Sequence, residues 1–260
     1  MTKIQAAMDI LNKKFGPGFV RKLGEVENRV SWLSSGISVL DALIGGGYPL
    51  GRVVELYGPE GSGKTSLALH TIAAAQKEGL GCAYIDMEHA VDMNFAKKLG
   101  VDIDDLDFCQ PPYGEAALEA VEDFSADCGL IVVDSVASMV PKAEVEGDPG
   151  AIHMGLMARM MGQGMRKLCP VLSTNKCTVI FINQIRMTMD MYRPETTPGG
   201  LALKFASSVR VDVRRINAAA EKIEAGHKIK MTIKKNKVGV PNGIGTVEFY
   251  YDRGVDKHRD

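Results

Sequence analysis

Residues 53–66 read Val-Val-Glu-Leu-Tyr-Gly-Pro-Glu-Gly-Ser-Gly-Lys-Thr-Ser, and this stretch decides the fold. The apolar run Val53–Tyr57 is followed by a loop with the pattern G-x-x-x-x-G-K-T, and a helical segment begins at Ser66. A strand, a glycine-rich loop and a helix in this order predict a phosphate-binding loop, because the freed backbone N–H groups point inward at a helix N-terminus. A side chain at Gly58 or Gly63 would keep the backbone from curling around the phosphates. The alternative, a glycine-rich turn with a chance Lys-Thr, does not account for this setting.

All residues of this loop are predicted to contact the nucleotide: Gly58, Pro59, Glu60, Gly61, Ser62, Gly63, Lys64, Thr65 and Ser66. Lys64 is expected to reach the β- and γ-phosphates, and the Thr65 hydroxyl is expected to ligate Mg²⁺. The sequence therefore predicts that the protein binds a nucleoside triphosphate.

Composition narrows the class of protein without naming a partner. At 260 residues and 45% hydrophobic, the chain can form one large α/β domain, alone or with a small appendage. No stretch approaches the roughly 18 consecutive apolar residues that predict a membrane span. The five cysteines are scattered and never spaced as C-x-x-C, which is typical of buried thiols in a reducing cytosol, so we expect a cytoplasmic protein. With a net charge of −1, any contact with nucleic acid must come from local basic patches.

Strand-like and helix-like segments alternate through the middle of the chain, as a mostly parallel sheet flanked by helices requires. The predicted strands are 53–57, 82–85, 130–133 and 178–182, and the predicted helices are 66–77, 93–99, 115–123 and 155–168. Three later segments alternate apolar and polar residues, which predicts half-exposed antiparallel strands that extend the sheet: 209–213, 228–233 and 246–251.

The N-terminal residues predict a separate element. Apolar side chains at Ile4, Met8, Leu11 and Phe15 share one helical face, and a linker without clear periodicity follows. A helix this short is rarely stable in water by itself, so its apolar face must dock on its own domain or on a neighbouring copy. We therefore predict an α/β protein with an N-terminal oligomerisation helix and linker (1–30) and a core domain (31–260).

Three polar side chains follow predicted strands at what should be one edge of the sheet. Asp134 ends a buried run and is the expected second ligand of Mg²⁺. Glu88 is the candidate that polarises the attacking water, because a carboxylate there could accept its proton. Gln184 places a neutral amide where it could contact the γ-phosphate, and this contact could couple the nucleotide state to the segment that follows. For the two acids, a chance carboxylate at a strand or loop end is the alternative.

Two stretches, about 144–155 and 186–200, fit neither a helix nor a strand and are long for ordinary connections. They carry or adjoin arginines, which would neutralise phosphates, and Met and Tyr side chains, which can stack between bases. Met residues that merely fill the core are the alternative. The basic run Lys234–Lys237 is either a solvated tip or a cationic finger that reaches nucleotide on an adjacent subunit.

Eight segments of the chain, taken in order, resemble the bacterial RecA family, recombinases that form filaments on single-stranded DNA. The resemblance spans nearly the whole chain and is carried by eight segments: Leu56–Thr65, Ile85–Ala90, Val132–Val136, Pro141–Glu144, His153–Leu156, Ala158–Met161, Phe181–Met187 and Pro194–Thr197. It implies a RecA-like ATPase core, with an N-terminal helix and linker that pack on the next protomer. It also implies a helical filament with ATP and Mg²⁺ at the protomer interface.

The resemblance implies a role for single residues near the nucleotide. Glu88 matches the catalytic glutamate and Gln184 the γ-phosphate switch. Lys235 and Lys237 match two lysines that reach ATP across the interface, and with Lys64 these are the predicted catalytic residues. Asp92 and Phe95 match the positions that hold the adenine ring, with phenylalanine in place of tyrosine.

The two long stretches match the family's two DNA-binding loops. The predicted DNA contacts are Met154, Gly155, Arg159, Arg166, Arg186, Met187, Met189, Gly199 and Gly200. A secondary duplex site is expected at Arg214, Arg215 and Lys230, where Lys230 replaces an arginine. Lys204-Phe205 match a segment at the protomer interface.

The resemblance implies a DNA-dependent ATPase that assembles on single-stranded DNA and exchanges strands with a homologous duplex. The sequence departs from the family pattern because it stops near residue 260 without the family's C-terminal domain, and because its second loop is shorter around residues 190–194. An accessory ATPase that co-assembles with another recombinase is the alternative. A small-molecule kinase would give the long arginine-bearing loops no purpose.

Overall fold

The computed structural model describes residues 3–25, 30–148, 155–188, 195–216 and 225–256, and the chain divides into two compact units, Met1–Ser31 and Trp32–Asp260. The first unit contains helix α1 (Lys3–Phe15), none of whose residues is buried. Gly16 ends the helix in the left-handed region, with φ at 107°. The Asn12 side chain then accepts from the Val20 amide at 2.7 Å and donates to its carbonyl at 2.9 Å, so the following turn folds back on the helix end.

The second unit is an α/β domain built on one large sheet. Its strands are β1 (Trp32–Leu33), β2 (Tyr48–Pro49), β3 (Val53–Gly58), β4 (Cys82–Asp86), β5 (Leu106–Cys109), β6 (Leu130–Asp134), β7 (Thr178–Gln184), β8 (Arg186–Met187), β9 (Glu195–Thr196), β10 (Val209–Ile216), β11 (Gly226–Asn236), β12 (Ile244–Tyr250) and β13 (Gly254–Val255). Its helices are α2 (Ser38–Ile44), α3 (Lys64–Lys77), α4 (Met93–Leu99), α5 (Gly114–Phe124), α6 (Lys142–Val145), α7 (Leu156–Asn175) and α8 (Gly200–Ala206).

Nine strands form the large sheet in the order β13-β12-β11-β10-β3-β7-β6-β4-β5. The six strands from β10 to β5 pair in parallel, and β11, β12 and β13 add antiparallel strands at the β10 side. The prediction of a mostly parallel sheet flanked by helices and extended by antiparallel strands is therefore confirmed. The expectation for 209–213 was wrong in one respect: this segment lies in β10, which pairs in parallel with β3 and is antiparallel only to β11.

Apolar side chains fill both faces of the parallel strands. Because alternate residues of a strand point to opposite faces, Ile180 and Ile182 of β7 join the core under α2, α3 and α4, whereas Val179 and Phe181 join the core under α5, α7 and α8. Burial on both faces explains why these strands read as continuous apolar runs rather than as alternating ones.

The antiparallel extension builds a wall beside the carboxyl edge of the parallel sheet. β3 stops at Gly58, and its Tyr57 pairs with Asp212 of β10. β10 continues to Ile216, and β11 and β12 pair alongside this overhang. The phosphate-binding loop predicted after β3 therefore lies next to the end of β10. None of the helices in the described ranges is long and apolar enough to cross a membrane.

Candidate functional site

The loop between β3 and α3 needs glycine at two positions for steric reasons beyond those predicted. A Cβ at Gly58 would lie 2.0 Å from the Val213 carbonyl oxygen, and a Cβ at Gly63 would lie 2.5 Å from Cδ1 of Ile229. Gly63 also has φ at 94°, in the left-handed region, directly before α3 begins. The loop is thus packed against β10 and β11 as well as shaped to receive an anion.

The Lys64 ammonium is held over the loop. Its Nζ donates to the Pro59 carbonyl at 2.7 Å and to the Gly58 carbonyl at 3.2 Å. Burial lowers the pKa of Lys64, while the carboxylates of Asp134, Glu88 and Glu60 act in the opposite direction. A cation in this position is placed to neutralise phosphate oxygens on the same loop.

Asp134 is tied to the first turn of α3. Its Oδ2 accepts from the Thr65 hydroxyl at 2.6 Å and from the Tyr84 hydroxyl at 2.8 Å. Burial raises the pKa of the Asp134 carboxyl, while these two hydrogen bonds lower it. The predicted pair of oxygen ligands therefore meets in space, and Tyr84 on β4, which the sequence reading missed, holds the carboxylate in place.

Glu88, Ser135 and Gln184 meet at the carboxyl ends of β4, β6 and β7. The Ser135 hydroxyl and the Gln184 amide both donate to Oε1 of Glu88, the latter at 3.0 Å. The predicted catalytic acid and the predicted γ-phosphate switch are thus in direct contact. Ser135 was not predicted, and its only sequence signal is its place directly after Asp134.

Asn183 connects this cluster to the second long loop. Its Nδ2 donates to Oε1 of Glu55 and to the Pro198 carbonyl, both at 3.0 Å. Its Oδ1 accepts from the backbone N–H of Gln184. Glu55 is itself paired with Arg210. A continuous series of hydrogen bonds therefore runs from Glu88 to the end of the second loop.

A cavity of about 400 Å³ lies over the phosphate-binding loop. The predicted residues that line it are Glu60, Gly61, Ser62, Gly63, Lys64, Thr65, Ser66, Glu88, Asp134 and Gln184. The sheet extension contributes Arg215, His227, Phe249 and Tyr251 to its wall. Arg215 was predicted at a DNA site, and the other three were not predicted. Their signal is the strand alternation: Phe249 and Tyr251 lie in the strand predicted at 246–251, and His227 directly precedes the one predicted at 228–233.

Asp92 and Phe95 do not line this cavity. Asp92 caps α4, and its Oδ1 accepts from the backbone N–H of Asn94 at 2.8 Å and of Phe95 at 3.0 Å. The Phe95 side chain is half-buried against the core under α3. Their predicted contact with adenine stays a prediction.

Lys235, near the end of β11, and Lys237, just after it, lie far from the cavity. Lys235 donates to the carbonyls of Lys204 and Phe205 at 2.6 and 3.0 Å, and Lys237 donates to the Phe205 carbonyl at 3.0 Å. Lys235 pairs with Arg210, five residues before the cavity-lining Arg215, which corresponds to about 17 Å along a strand. These lysines therefore do not contact the cavity of their own chain.

The described ends of the two long loops meet at two helix N-termini. Gly155 and Gly199 precede α7 and α8 in the left-handed conformation, and a Cβ at Gly200 would lie 2.9 Å from Cβ of Ala158. The second stretch also contains two short strands that the sequence did not predict, β8 and β9, which pair antiparallel.

The predicted DNA contacts within the described ranges are mostly open to solvent. Arg159, Arg166 and Arg186 are exposed, and Met187 is 75% exposed. Met154 and Met189 lie outside the described residues, as do positions 149–153 and 190–194 of the two loops.

The residues expected at a secondary duplex site point to different faces of the sheet. Arg214 forms hydrogen bonds of 3.0 and 2.6 Å with the Glu195 carboxylate and one of 2.6 Å with Asp212. Lys230 is the register partner of Arg214. Arg215, one position further, lines the cavity instead.

Comparisons with known proteins agree with one another. The family model described as RecA N-terminal domain matches residues 2–256. Protein RecA of Staphylococcus carnosus is 50% identical over 254 residues, which cover 95% of this chain and 72% of the relative. Protein RecA of Bacillus licheniformis is 48% identical over 268 residues, covering 99% of this chain and 77% of the relative. A crystal structure of the RadB recombinase matches with a TM-score of 0.66 at 20% identity, over 86% of this chain and 98% of that one, and at this identity it shows the fold alone.

Proposed function

The chain belongs to the RecA family, and from this we propose that it is an ATP-dependent recombinase. It forms filaments on single-stranded DNA and pairs that strand with a homologous duplex, and DNA-stimulated ATP hydrolysis drives its turnover. The observation that carries the proposal is the series of hydrogen bonds from Glu88 through Gln184 and Asn183 to Pro198. It gives a nucleotide site a direct physical connection to a second, arginine-bearing site.

The first step is capture of the triphosphate by the loop between β3 and α3. The backbone N–H groups of the loop and the Lys64 ammonium neutralise the phosphates, and the dipole of α3 adds to this. Thr65 and Asp134 present a hydroxyl and a carboxylate oxygen, the kind of ligand that Mg²⁺ prefers, so they would hold the metal. When bound, Mg²⁺ neutralises negative charge on the phosphates.

Glu88 is the general base in this proposal. Its carboxylate accepts the proton of the attacking water, and Ser135 and Gln184 fix its orientation. Because Gln184 touches both Glu88 and, through its backbone, Asn183, a change at the γ-phosphate end of the cavity is transmitted to the second loop.

Lys235 and Lys237 complete the site of a neighbouring protomer. Their distance from the cavity of their own chain supports action in trans, where an ammonium group stabilises the charge that develops in phosphoryl transfer. A head-to-tail contact of this kind generates an open helical filament if it does not close into a ring. The helix and linker of residues 1–30 would pack on the next protomer, as the apolar and unburied residues of α1 allow.

The two long loops grip the single strand. Arg159, Arg166 and Arg186 supply exposed cations to its phosphates, and the exposed Met187 supplies an apolar surface to its bases. The N-terminus of α7 adds its positive dipole end beside the first loop.

The test compares ATP hydrolysis with and without single-stranded DNA, for the natural chain and for Glu88→Gln. We expect hydrolysis to rise steeply with DNA in the natural chain. The variant should bind ATP and assemble normally but lose at least about 100-fold in turnover, as expected for loss of a general base. Equal hydrolysis with and without DNA, or unimpaired turnover in Glu88→Gln, would contradict the proposal. A strand-exchange assay with this protein alone then separates it from an accessory ATPase, which would need a second recombinase.

A further inference from the structure

One polar residue stands at the end of an apolar row on the core face of the sheet extension. Alternation along β11 places His227, Ile229, Met231 and Ile233 on the same face, and all four are buried. The register pairs His227 with Phe249 of β12. His227 is thus the end of the row that reaches the cavity over the phosphate-binding loop.

The His227 imidazole is buried without a polar partner. The residue is 5% exposed, and within the described ranges neither of its ring nitrogens has a hydrogen-bond partner. Its ring centroid lies 4.9 Å from that of Phe249 and 5.6 Å from that of Tyr251. A buried polar group left unpaired is destabilising, so packing alone gives a poor account of a histidine here.

The His227 imidazole lines the cavity at the end expected for the nucleoside part of a bound nucleotide. Lys64, Thr65, Glu88 and Gln184 all line the cavity. In the proposed function, Lys64 and Thr65 hold the phosphate end of the triphosphate, and Glu88 and Gln184 lie at its γ-phosphate side. The aromatic wall is therefore left for the nucleoside end. Burial lowers the pKa of His227, and the Arg215 cation adds to this, so the ring is neutral at pH 7 and has one donor and one acceptor. A sugar hydroxyl or the edge of a base matches that pair.

We propose that His227 hydrogen-bonds the nucleoside part of the triphosphate and determines the preference of this site for a nucleotide over a bare polyphosphate. The proposal rests on the proposed function, because it assumes that the cavity holds a nucleoside triphosphate. Phe249 and Tyr251 set the plane of the imidazole, and His227 supplies the directional contact.

The experiment measures the dissociation constants of two probes, a non-hydrolysable ATP analogue and inorganic tripolyphosphate, for the natural chain, His227→Phe and His227→Gln. His227→Phe keeps a flat ring but has no hydrogen-bonding group, and His227→Gln keeps a donor and an acceptor. We expect His227→Phe to bind the analogue about tenfold more weakly, the effect of one lost hydrogen bond, with unchanged affinity for tripolyphosphate. His227→Gln should regain part of the loss.

A measurement on the natural chain avoids dependence on folding of the variants. The ¹⁵N resonances of the His227 ring should move when the analogue is added and stay in place when tripolyphosphate is added. The inference is overturned if the ratio of the two affinities is the same in all three proteins, or if both probes shift the ring resonances equally. If the natural chain binds neither probe, the proposed function fails as well, and this result is distinct from the other two.

Discussion

At the scale of single residues, Ser135 shows what the geometry adds to a motif. Their positions after predicted strands and the family resemblance both singled out Glu88 and Gln184, but a second donor to the Glu88 carboxylate is a buried serine after β6. It acts through another group and is a positioning residue. Its effect should therefore appear in the rate of turnover and not in the binding of ATP.

Ser135→Ala removes one of the two hydrogen bonds to Oε1 of Glu88 and leaves the Gln184 bond in place. We expect kcat for DNA-stimulated ATP hydrolysis to fall by about tenfold, the effect of one lost hydrogen bond on the orientation of the base, with KM for ATP unchanged. Steady-state kinetics measure both, and Ser138→Ala on the neighbouring turn is the matched control. A raised KM with unchanged kcat would assign Ser135 to binding instead.

The Lys235 ammonium leads us to predict that filament assembly depends on pH. Burial lowers the pKa of Lys235 to about 8, and the cations of Lys237 and Arg210 add to the shift. Contact with a neighbour's triphosphate favours the protonated ammonium and so raises this pKa in the filament. The assembled state then holds the proton more tightly than the free chain. Assembly should not depend on this group below pH 8 and should weaken above it, by at most about tenfold per pH unit.

The measurement is the midpoint of analogue-dependent assembly on a single-stranded oligonucleotide between pH 7 and 9. Lys235→Arg keeps the cation but does not deprotonate in this range, so its midpoint should change less with pH. If the natural chain and Lys235→Arg show the same pH dependence, Lys235 does not contact phosphate in the filament.

At the scale of elements, the sequence predicted the helices and strands that are long or have a strong hydrophobic pattern. The buried parallel strands and helices α3, α4, α5 and α7 were located because each carries enough apolar residues to show its period. Helix α2 is as long as α4 but was missed because no capping side chain marks its start, whereas Asp92 caps α4. Strand β5 was missed because it is a four-residue edge strand. The wall formed by β10, β11 and β12 could not be predicted, because which residues overhang the end of β3 depends on strand register.

The contact between the phosphate-binding loop and this wall can be tested at Gly58. Gly58→Ala places a Cβ against the Val213 carbonyl, and we expect it to lower the free energy of unfolding by about 2 kcal/mol through overpacking. Gly61→Ala is the control: nothing lies within 4 Å of its Cβ, so it pays only for its φ of 66°, about 1 kcal/mol. Urea unfolding compares the two. Equal stability of Gly58→Ala and the natural chain would mean that the loop does not pack on β10 as described.

At the scale of the whole molecule, the candidate site is divided between two ends of the core. The phosphate-binding loop, Glu88 and the aromatic wall lie at the carboxyl edge of the sheet, whereas Lys235 and Lys237 lie beside the end of α8. Sequence motifs identified the loop, Glu88 and the two lysines, but the sequence alone could not give the distance between them. That distance is the physical reason to expect that one chain does not complete the site and that hydrolysis needs a second copy.

Mixing two inactive variants tests this claim most directly. Lys64→Ala lacks a working phosphate-binding loop, and the double variant Lys235→Ala, Lys237→Ala lacks the proposed trans cations. Neither should hydrolyse ATP on single-stranded DNA alone. In an equal mixture, about a quarter of head-to-tail interfaces join an intact loop to intact lysines, so activity should return to that fraction of the natural level. A mixture that stays inactive, or a double variant that is fully active alone, would contradict the shared site.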